Sequence, residues 1–506
     1  MKSPVDVSAR ARAEALGKAA FLALTLVVSA SGNVRGQTAD TTGSIPDVAP
    51  QAKSEDVKSE DVKADEAKPD SAPEAAGPQK PAVNTAIRAA LTRAATQSMS
   101  ADRQAVLRAV DAFYAEHGDA PIFFGAGGWT AQARGVFDRL QKAPEDGLDL
   151  RAWRVFSLDA GPDNALATGE VALAQAVAAY AFQASGGRIA PARISKLIDR
   201  KPEVVSAAKA LEETAGAADA DARLASYNPT HPGYRALRDK LASLREGPIV
   251  LAEREPASSK RRASDARAPI AAAMTKAAQE ADLLANMEMW RWMPRELGAD
   301  RIMVNVPEFT ARLYRGETLV ATHRIVVGKP NTPTPLFSDE MQYLVVNPAW
   351  YVPQSIIRNE WGGRAQSGFD VVYQNGMMFA RQPPGERNAL GRLKFIFPNR
   401  YAVYMHDTPS RHLFSQAKRA FSHGCMRVDQ PLAWAVAILG GPQNGWTEQR
   451  IEKMYGKSER RINLPSPLPV HIGYFTRTVD DYGQLHAFDD VYGYAAEVKK
   501  RLGVGG

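Results

Sequence analysis

Near residue 286 the hydrophobic pattern of this 506-residue chain changes its period, and that change limits what the chain can fold into. Upstream, large apolar residues recur every three or four positions: Val106, Leu107, Val110, Phe113 and Tyr114, then Val136, Phe137 and Leu140 after Trp129-Thr130, then Tyr234, Leu237, Leu241 and Leu244. This is the spacing of one helix face. Thr168 is placed to cap a helix through Val171, Ala174, Val177 and Tyr180, and Pro232 to open another. Downstream, apolar and polar residues alternate in β-branched runs over 301–306, 309–314 and 319–327, with Arg315-Gly316-Glu317 as a hairpin turn. Further strands are expected over 343–346, 402–405 and 469–476. The two periods belong to different layers, so the chain reads as an α+β multidomain protein, all-helical first and β-rich second.

The first 83 residues carry neither pattern. Lys2, Arg10, Arg12 and Lys18 precede an apolar run over 19–30 and small residues at Ser31 and Gly32. Twelve apolar residues suit a signal-peptide core better than a membrane span, so 1–36 reads as an export signal. No later stretch reads as long and apolar enough to cross a membrane. Over 37–83 a five-residue repeat (Lys53-Ser-Glu-Asp-Val, Lys58-Ser-Glu-Asp-Val and two looser copies) has no aromatic residue to offset the entropy of ordering, and reads as a flexible tether. The formal net charge of +7 could suit an anionic partner. No basic helix with base-reading residues and no Gly-rich phosphate loop accompanies it, so nucleic acid is not the expected partner.

The chemistry concentrates between Tyr401 and Pro431. Cys425 is the sole cysteine of the chain, and in an exported protein an unpaired thiol calls for a functional explanation. His406, His412 and His423 share the stretch. A thiolate needs a neighbouring imidazole or cation to form near neutral pH, and His423, His406 and Arg427 lie close in sequence. Gly424 lets the chain turn tightly and present amide N–H groups to a developing oxyanion. His406 and His423 both stand as the base. Side chains two residues apart on an extended segment run nearly parallel, which disfavours His423; a histidine on an adjacent strand end can reach the sulfur. Two histidines and a cysteine could also bind zinc, but the spacing is not that of common zinc sites and a fourth ligand is not evident. No metal or cofactor is expected.

Ser422-His423-Gly424-Cys425-Met426-Arg427, with Tyr404-Met405-His406-Asp407-Thr408-Pro409 upstream, resembles the signature of the L,D-transpeptidases (YkuD-type catalytic domain), and more narrowly their large periplasmic peptidoglycan cross-linking branch. The resemblance covers 286–500 almost end to end. Pro383-Pro384-Gly385, Asn388, Gly391 and Lys394-Phe395 match the approach to the site. It implies a helical scaffold domain at 84–248, and a capping insertion at 350–392 over the cleft of the catalytic domain. The linker at 249–285 shows no recognisable peptidoglycan-binding module.

By this resemblance Cys425 is the nucleophile and His406 the base, its ring oriented by the Asp407 carbonyl. His423 lines the pocket or supports the thiolate, and amides around Gly424 and Cys425 hold the oxyanion. Arg427 is expected to pair with a substrate carboxylate or fix the loop, and Ser422 to orient His423 or cap the turn. Asp407, Tyr404, Asn347 and Trp350 complete the expected substrate-binding set. The implied activity is a periplasmic cysteine acyltransferase: release of D-alanine from a tetrapeptide donor stem and a 3→3 cross-link to a neighbouring stem, with carbapenem acylation of Cys425. Stem peptides are the expected partners, alongside other cell-wall synthesis or trimming enzymes. Carboxypeptidase or endopeptidase action, or attachment of an envelope protein, would use the same acyl-enzyme. A non-catalytic wall-binding scaffold is the reading from a different class.

Overall fold

The computed structural model describes residues 80–155, 157–158, 161–247 and 275–505. The expected signal segment, nearly all of the expected tether and most of the 249–285 linker lie outside the described residues.

Seven helices build the first layer: α1 (Lys80–Ala95), α2 (Ala101–Glu116), α3 (Ala131–Gln141), α4 (Asp163–Gly186), α5 (Ala207–Ala215), α6 (Ala220–Ala225) and α7 (Pro232–Glu246). Their starts follow the expected cap chemistry. Ser100, Thr130, Ser206 and Asp219 each accept a backbone N–H three residues on, and Pro232 occupies the first turn of α7. Thr168 does not cap. It lies inside α4, which starts five residues earlier, and its hydroxyl donates to Asn164 O at 2.7 Å. A threonine can satisfy its hydroxyl within a helix this way, so its presence alone does not mark a start. α4 is also long and apolar enough to cross a membrane, contrary to the sequence expectation, but 72% of its most apolar window is buried inside the protein. Leu173, Ala174, Val177, Tyr180 and Ala181 are wholly buried, so α4 is the core helix of this layer.

α8 (Lys276–Arg291) runs across the 285/286 boundary expected from sequence and joins the two layers. Its Met289, and Trp292 and Met293 just beyond, share one apolar core with Ile189 and Ile198 of the helical layer and with the β-rich layer. Arg200 reinforces the joint, donating to Phe337 O at 3.0 Å and Ile472 O at 2.8 Å.

The β-rich layer is a nine-stranded sheet. Its strands are β1 (Arg301–Asn305), β2 (Thr310–Arg315), β3 (Thr318–Gly328), β4 (Ser338–Val346), then, after the insertion, β8 (Leu393–Ile396), β9 (Met405–His406), β10 (Ala420–Ser422), β11 (Met426–Val428) and β12 (Arg460–Gly473). The insertion carries β5 (Trp350–Tyr351), the short helix α9 (Gln354–Asn359), β6 (Asp370–Gln374) and β7 (Met377–Gln382), whose strands form a separate three-stranded sheet. The large sheet runs β10-β3-β11-β9-β8-β4-β12-β1-β2, and β2 pairs β3 as well, so it closes on itself. Gly316, at φ 58, makes the tight turn between β2 and β3 that the sequence marks. The expected strand over 402–405 shrinks to Met405–His406, because Ala402 sits at φ 52, outside strand geometry. β6 and β7 form a hairpin turning at Asn375 and Gly376 with φ 50 and 73.

Candidate active site

Sheet register decides which side chains meet. β9 and β11 pair in parallel, Met405 opposite Met426 and His406 opposite Arg427. Met405 and Met426 are wholly buried in the core, and side chains alternate along a strand. Tyr404, His406, Cys425 and Arg427 therefore share the opposite face. β8 adds Lys394, in register with His406. One row of that face reads Lys394, His406, Arg427, and the adjacent row holds Tyr404 and Cys425.

His406 is buried, and its Nδ1 lies 2.5 Å from Asp407 O. A carbonyl oxygen can only accept, so Nδ1 carries the hydrogen and Nε2 is left as the basic nitrogen. Burial, then Arg427 and Lys394, push the imidazole pKa down to about 3 against the pull of the Asp407 carbonyl. The resting ring is neutral. Cys425 is half-buried, and its sulfur lies 3.9 Å from Ala402 O. Burial pushes the thiol up. The Tyr404 backbone N–H, the Lys394 ammonium, the Tyr404 hydroxyl and Arg427 pull it back, and the water reaching a partly buried residue works in the same direction. Lys394 itself is lowered by burial, and its Nζ stands 3.9 Å from the Tyr404 ring centroid. Among the described residues no hydrogen bond joins the sulfur to His406, so the pair at rest is thiol and neutral imidazole rather than an ion pair.

The turn before the nucleophile is tightly specified. Gly424 has φ +116, which side-chain-bearing residues rarely adopt. Ser422 Oγ accepts the Gly424 N–H at 3.2 Å and donates to Cys425 O, so this serine caps the turn. It does not orient His423. The His423 ring turns to the insertion instead, where its Nε2 meets the Glu360 carboxylate at the end of α9. Arg427 lies beside His406, and its Nε is buried without a partner among the described residues.

Asp407 contributes through its backbone, while its carboxylate accepts from Arg392 N at 2.7 Å and Thr408 N at 2.6 Å and pairs with Arg411. It lines a cavity of about 480 Å3 with Arg392, Arg411 and Tyr455, a lining that does not include Cys425. Asn347 is not a cleft wall. It is wholly buried at φ 55, donates to Met454 O at 2.9 Å and Ser458 O at 3.1 Å, and accepts from Gly456 N at 3.1 Å. An asparagine tolerates that left-handed conformation, and its side chain pins one segment, 454–458, at three points. Trp350 pairs with Gln382 and packs edge-on against Phe369 at 6.0 Å, within the insertion.

Sequence reasoning passed over Lys394 as a site residue, although Leu393-Lys394-Phe395 shows the inside–outside alternation that would have flagged an outward lysine one strand from His406. Glu360 carries no such signal.

Residues 108–241 match the family described as the Scaffold domain, and residues 299–441 the L,D-transpeptidase catalytic domain. A curated Haemophilus influenzae protein, whose name provisionally assigns it to the L,D-transpeptidases, is 29% identical over 224 residues, 39% of this chain. The chain spans 45% of that relative's own length. Among solved structures, an L,D-transpeptidase from Mycobacterium smegmatis is similar at 16% identity and a TM-score of 0.19, over 34% of this chain and 58% of that one. L,D-transpeptidase 3 from Mycobacterium tuberculosis, solved with a faropenem-derived adduct, matches at 12% identity and a TM-score of 0.20, over 35% and 60%. The chain carries an L,D-transpeptidase catalytic domain of the YkuD type behind a Scaffold domain.

Proposed function

We propose that the protein is a periplasmic peptidoglycan L,D-transpeptidase that forms 3→3 cross-links through a thioacyl-enzyme on Cys425. The observation that carries this reading is the shared outer face of β9 and β11, where the sulfur of a partly buried Cys425 sits one row from an imidazole whose Nδ1 is already committed to a carbonyl. Nε2 of His406 takes the thiol proton, rotation about the Cys425 Cα–Cβ bond bringing the two together. Catalytic hydrogen bonds often tighten only with substrate present. The sulfur then attacks the carbonyl of the third residue of a tetrapeptide stem, forming the C–S bond and moving the π electrons onto oxygen. Collapse of that intermediate breaks the C–N bond, and the departing D-alanine nitrogen takes the proton from His406. In the second half the side-chain amine of a neighbouring third residue attacks the thioester and passes a proton to His406, and the C–S bond breaks to return the thiolate. Lys394, Arg427 and the Tyr404 hydroxyl favour the thiolate in both halves. Arg427, with its partly unpartnered guanidinium, serves a stem carboxylate. His423 holds the insertion through Glu360 rather than supporting the sulfur.

Purified protein incubated with tetrapeptide muropeptides and read by mass spectrometry tests the proposal. Tetrapeptide–tripeptide dimers linked between third residues are expected. Tripeptide monomers alone would make water the acceptor, and untouched muropeptides that remain bound would leave only a wall-binding scaffold.

A further inference from the structure

The strand ladder that reaches the nucleophile stops one pair short, and two hydroxyl groups from distant parts of the chain stop it. β3 and β11 are antiparallel with Arg427 opposite Val326, and Asp429 N donates to Arg324 O at 2.9 Å. Hydrogen-bonded pairs in such a ladder recur every second residue. Continued by the same register, the next pair would join Cys425 to Gly328 and consume the Cys425 N–H. Both polar groups of Gly328 are instead taken. Its N–H donates to Thr334 Oγ1 at 2.9 Å, and its carbonyl accepts from the Tyr492 hydroxyl at 2.8 Å. The two hydroxyls are tied together, since Thr334 N donates to Tyr492 Oη at 3.1 Å.

Thr334 has a second task. Its hydroxyl proton goes to Gly424 O at 2.8 Å, and the residue is wholly buried. In a trans peptide the carbonyl and the following N–H point in opposite directions. Anchoring Gly424 O on Thr334 therefore turns the Cys425 N–H away from it. Among the described residues nothing accepts from that N–H, while the neighbouring Gly424 N–H is already held by Ser422 Oγ at 3.2 Å.

We infer that Thr334, backed by Tyr492, is a positioning residue for the oxyanion hole: it diverts the ladder bond at Gly328 and fixes the Gly424–Cys425 peptide so that the Cys425 N–H is the free donor. This rests on the acyl-transfer reading of Cys425. It predicts that carbonyl chemistry at the sulfur depends on Thr334, whereas displacement at a saturated carbon, which develops no oxyanion, does not.

The test compares two reactions of the same sulfur in the full-length protein: acylation by imipenem and alkylation by iodoacetamide, with thermal unfolding followed in parallel. Thr334→Val should slow acylation about 100-fold, the cost of one oxyanion donor, with little change in alkylation. Thr334→Ser, which keeps the hydroxyl, should restore acylation. Tyr492→Phe should lower the same ratio by a smaller factor, and it carries the comparison if Thr334→Val does not fold. Parallel loss of both reactions, or loss of neither, would overturn the inference. A wild-type protein that is alkylated but inert to imipenem would refute the acyl-transfer reading and the inference with it, an outcome visible before any variant is made.

Discussion

Protonating His406 should unfold this protein by degrees, and the loss can be assigned to that one ring. The imidazole pKa falls from 6.5 to about 3 in the folded protein, chiefly through burial, with Arg427 and Lys394 adding to it. Above pH 6.5 neither the folded nor the unfolded ring holds the extra proton, so the shift has no effect on stability. As the pH drops below 6.5 the unfolded chain binds a proton that the folded protein refuses until about pH 3. Stability is lost across that window. At about 1.4 kcal/mol per pKa unit, moving from about pH 7 to about pH 5 removes about 2 kcal/mol through this ring alone. That figure hardly depends on the folded value once it lies below about 4. Urea unfolding of wild type and His406→Gln at both pH values gives the comparison. His231 and His471, each held down to about 4 mainly by burial, contribute equally to both proteins and cancel. The acid-induced loss should be about 2 kcal/mol smaller in the variant. Equal losses would mean that the ring is not held neutral by its surroundings, and the assignment of Nε2 as a ready base would fail with it.

Cys425→Ala should abolish turnover of tetrapeptide muropeptides and leave the unfolding transition in place; residual turnover by mass spectrometry would remove the nucleophile. Lys394→Met should move the pH midpoint of Cys425 alkylation upward, because the ammonium is among the groups pulling the thiol down, and Lys394→Arg should hold it near the wild-type position. A midpoint that stays put in Lys394→Met would strike Lys394 from the site. Asn347→Ala should cost about 3 kcal/mol, from three lost buried hydrogen bonds and an alanine forced to φ 55, with the donor KM of the folded protein unchanged. A variant of normal stability and raised KM would return Asn347 to the cleft wall.

The parts of the site that are contiguous in sequence were legible there. The Ser422–Arg427 run and the upstream His406 announce a thiol and its base, and the carbonyl partner of His406 is the next residue along. Strand alternation located β1 to β3 to within a residue, while the expected strand over 343–346 covers only the last part of β4. What escaped is whatever the register assembles from afar. Lys394 stands beside His406, close enough for its charge to act on the thiol, only because β8 pairs β9 one way and not another. Thr334 lies 90 residues and Tyr492 67 residues from the turn they govern, since 424 − 334 = 90 and 492 − 425 = 67, and neither residue type advertises a role. Asn347 entered the expected substrate-binding set through the resemblance, whereas its three hydrogen bonds run to 454–458 and are invisible until the chain has folded. His423 sits next to the motif, yet its geometry sends it to Glu360, 63 residues away.

The helix α8 sets a further constraint. Glu288 and Arg291 form an ion pair at 3.6 Å with both side chains essentially sealed from water, and Glu288 also accepts the Ile189 N–H at 2.7 Å. A charge pair of that kind tolerates no half-measures, because stripping either member strands the other in an apolar setting. An excised catalytic fragment that begins at residue 299 would lose this whole assembly and bare the apolar core that Met289, Trp292 and Met293 share with the strands. The catalytic strands and the helical layer therefore meet through one sealed joint, and a cut between them opens apolar surface on both sides.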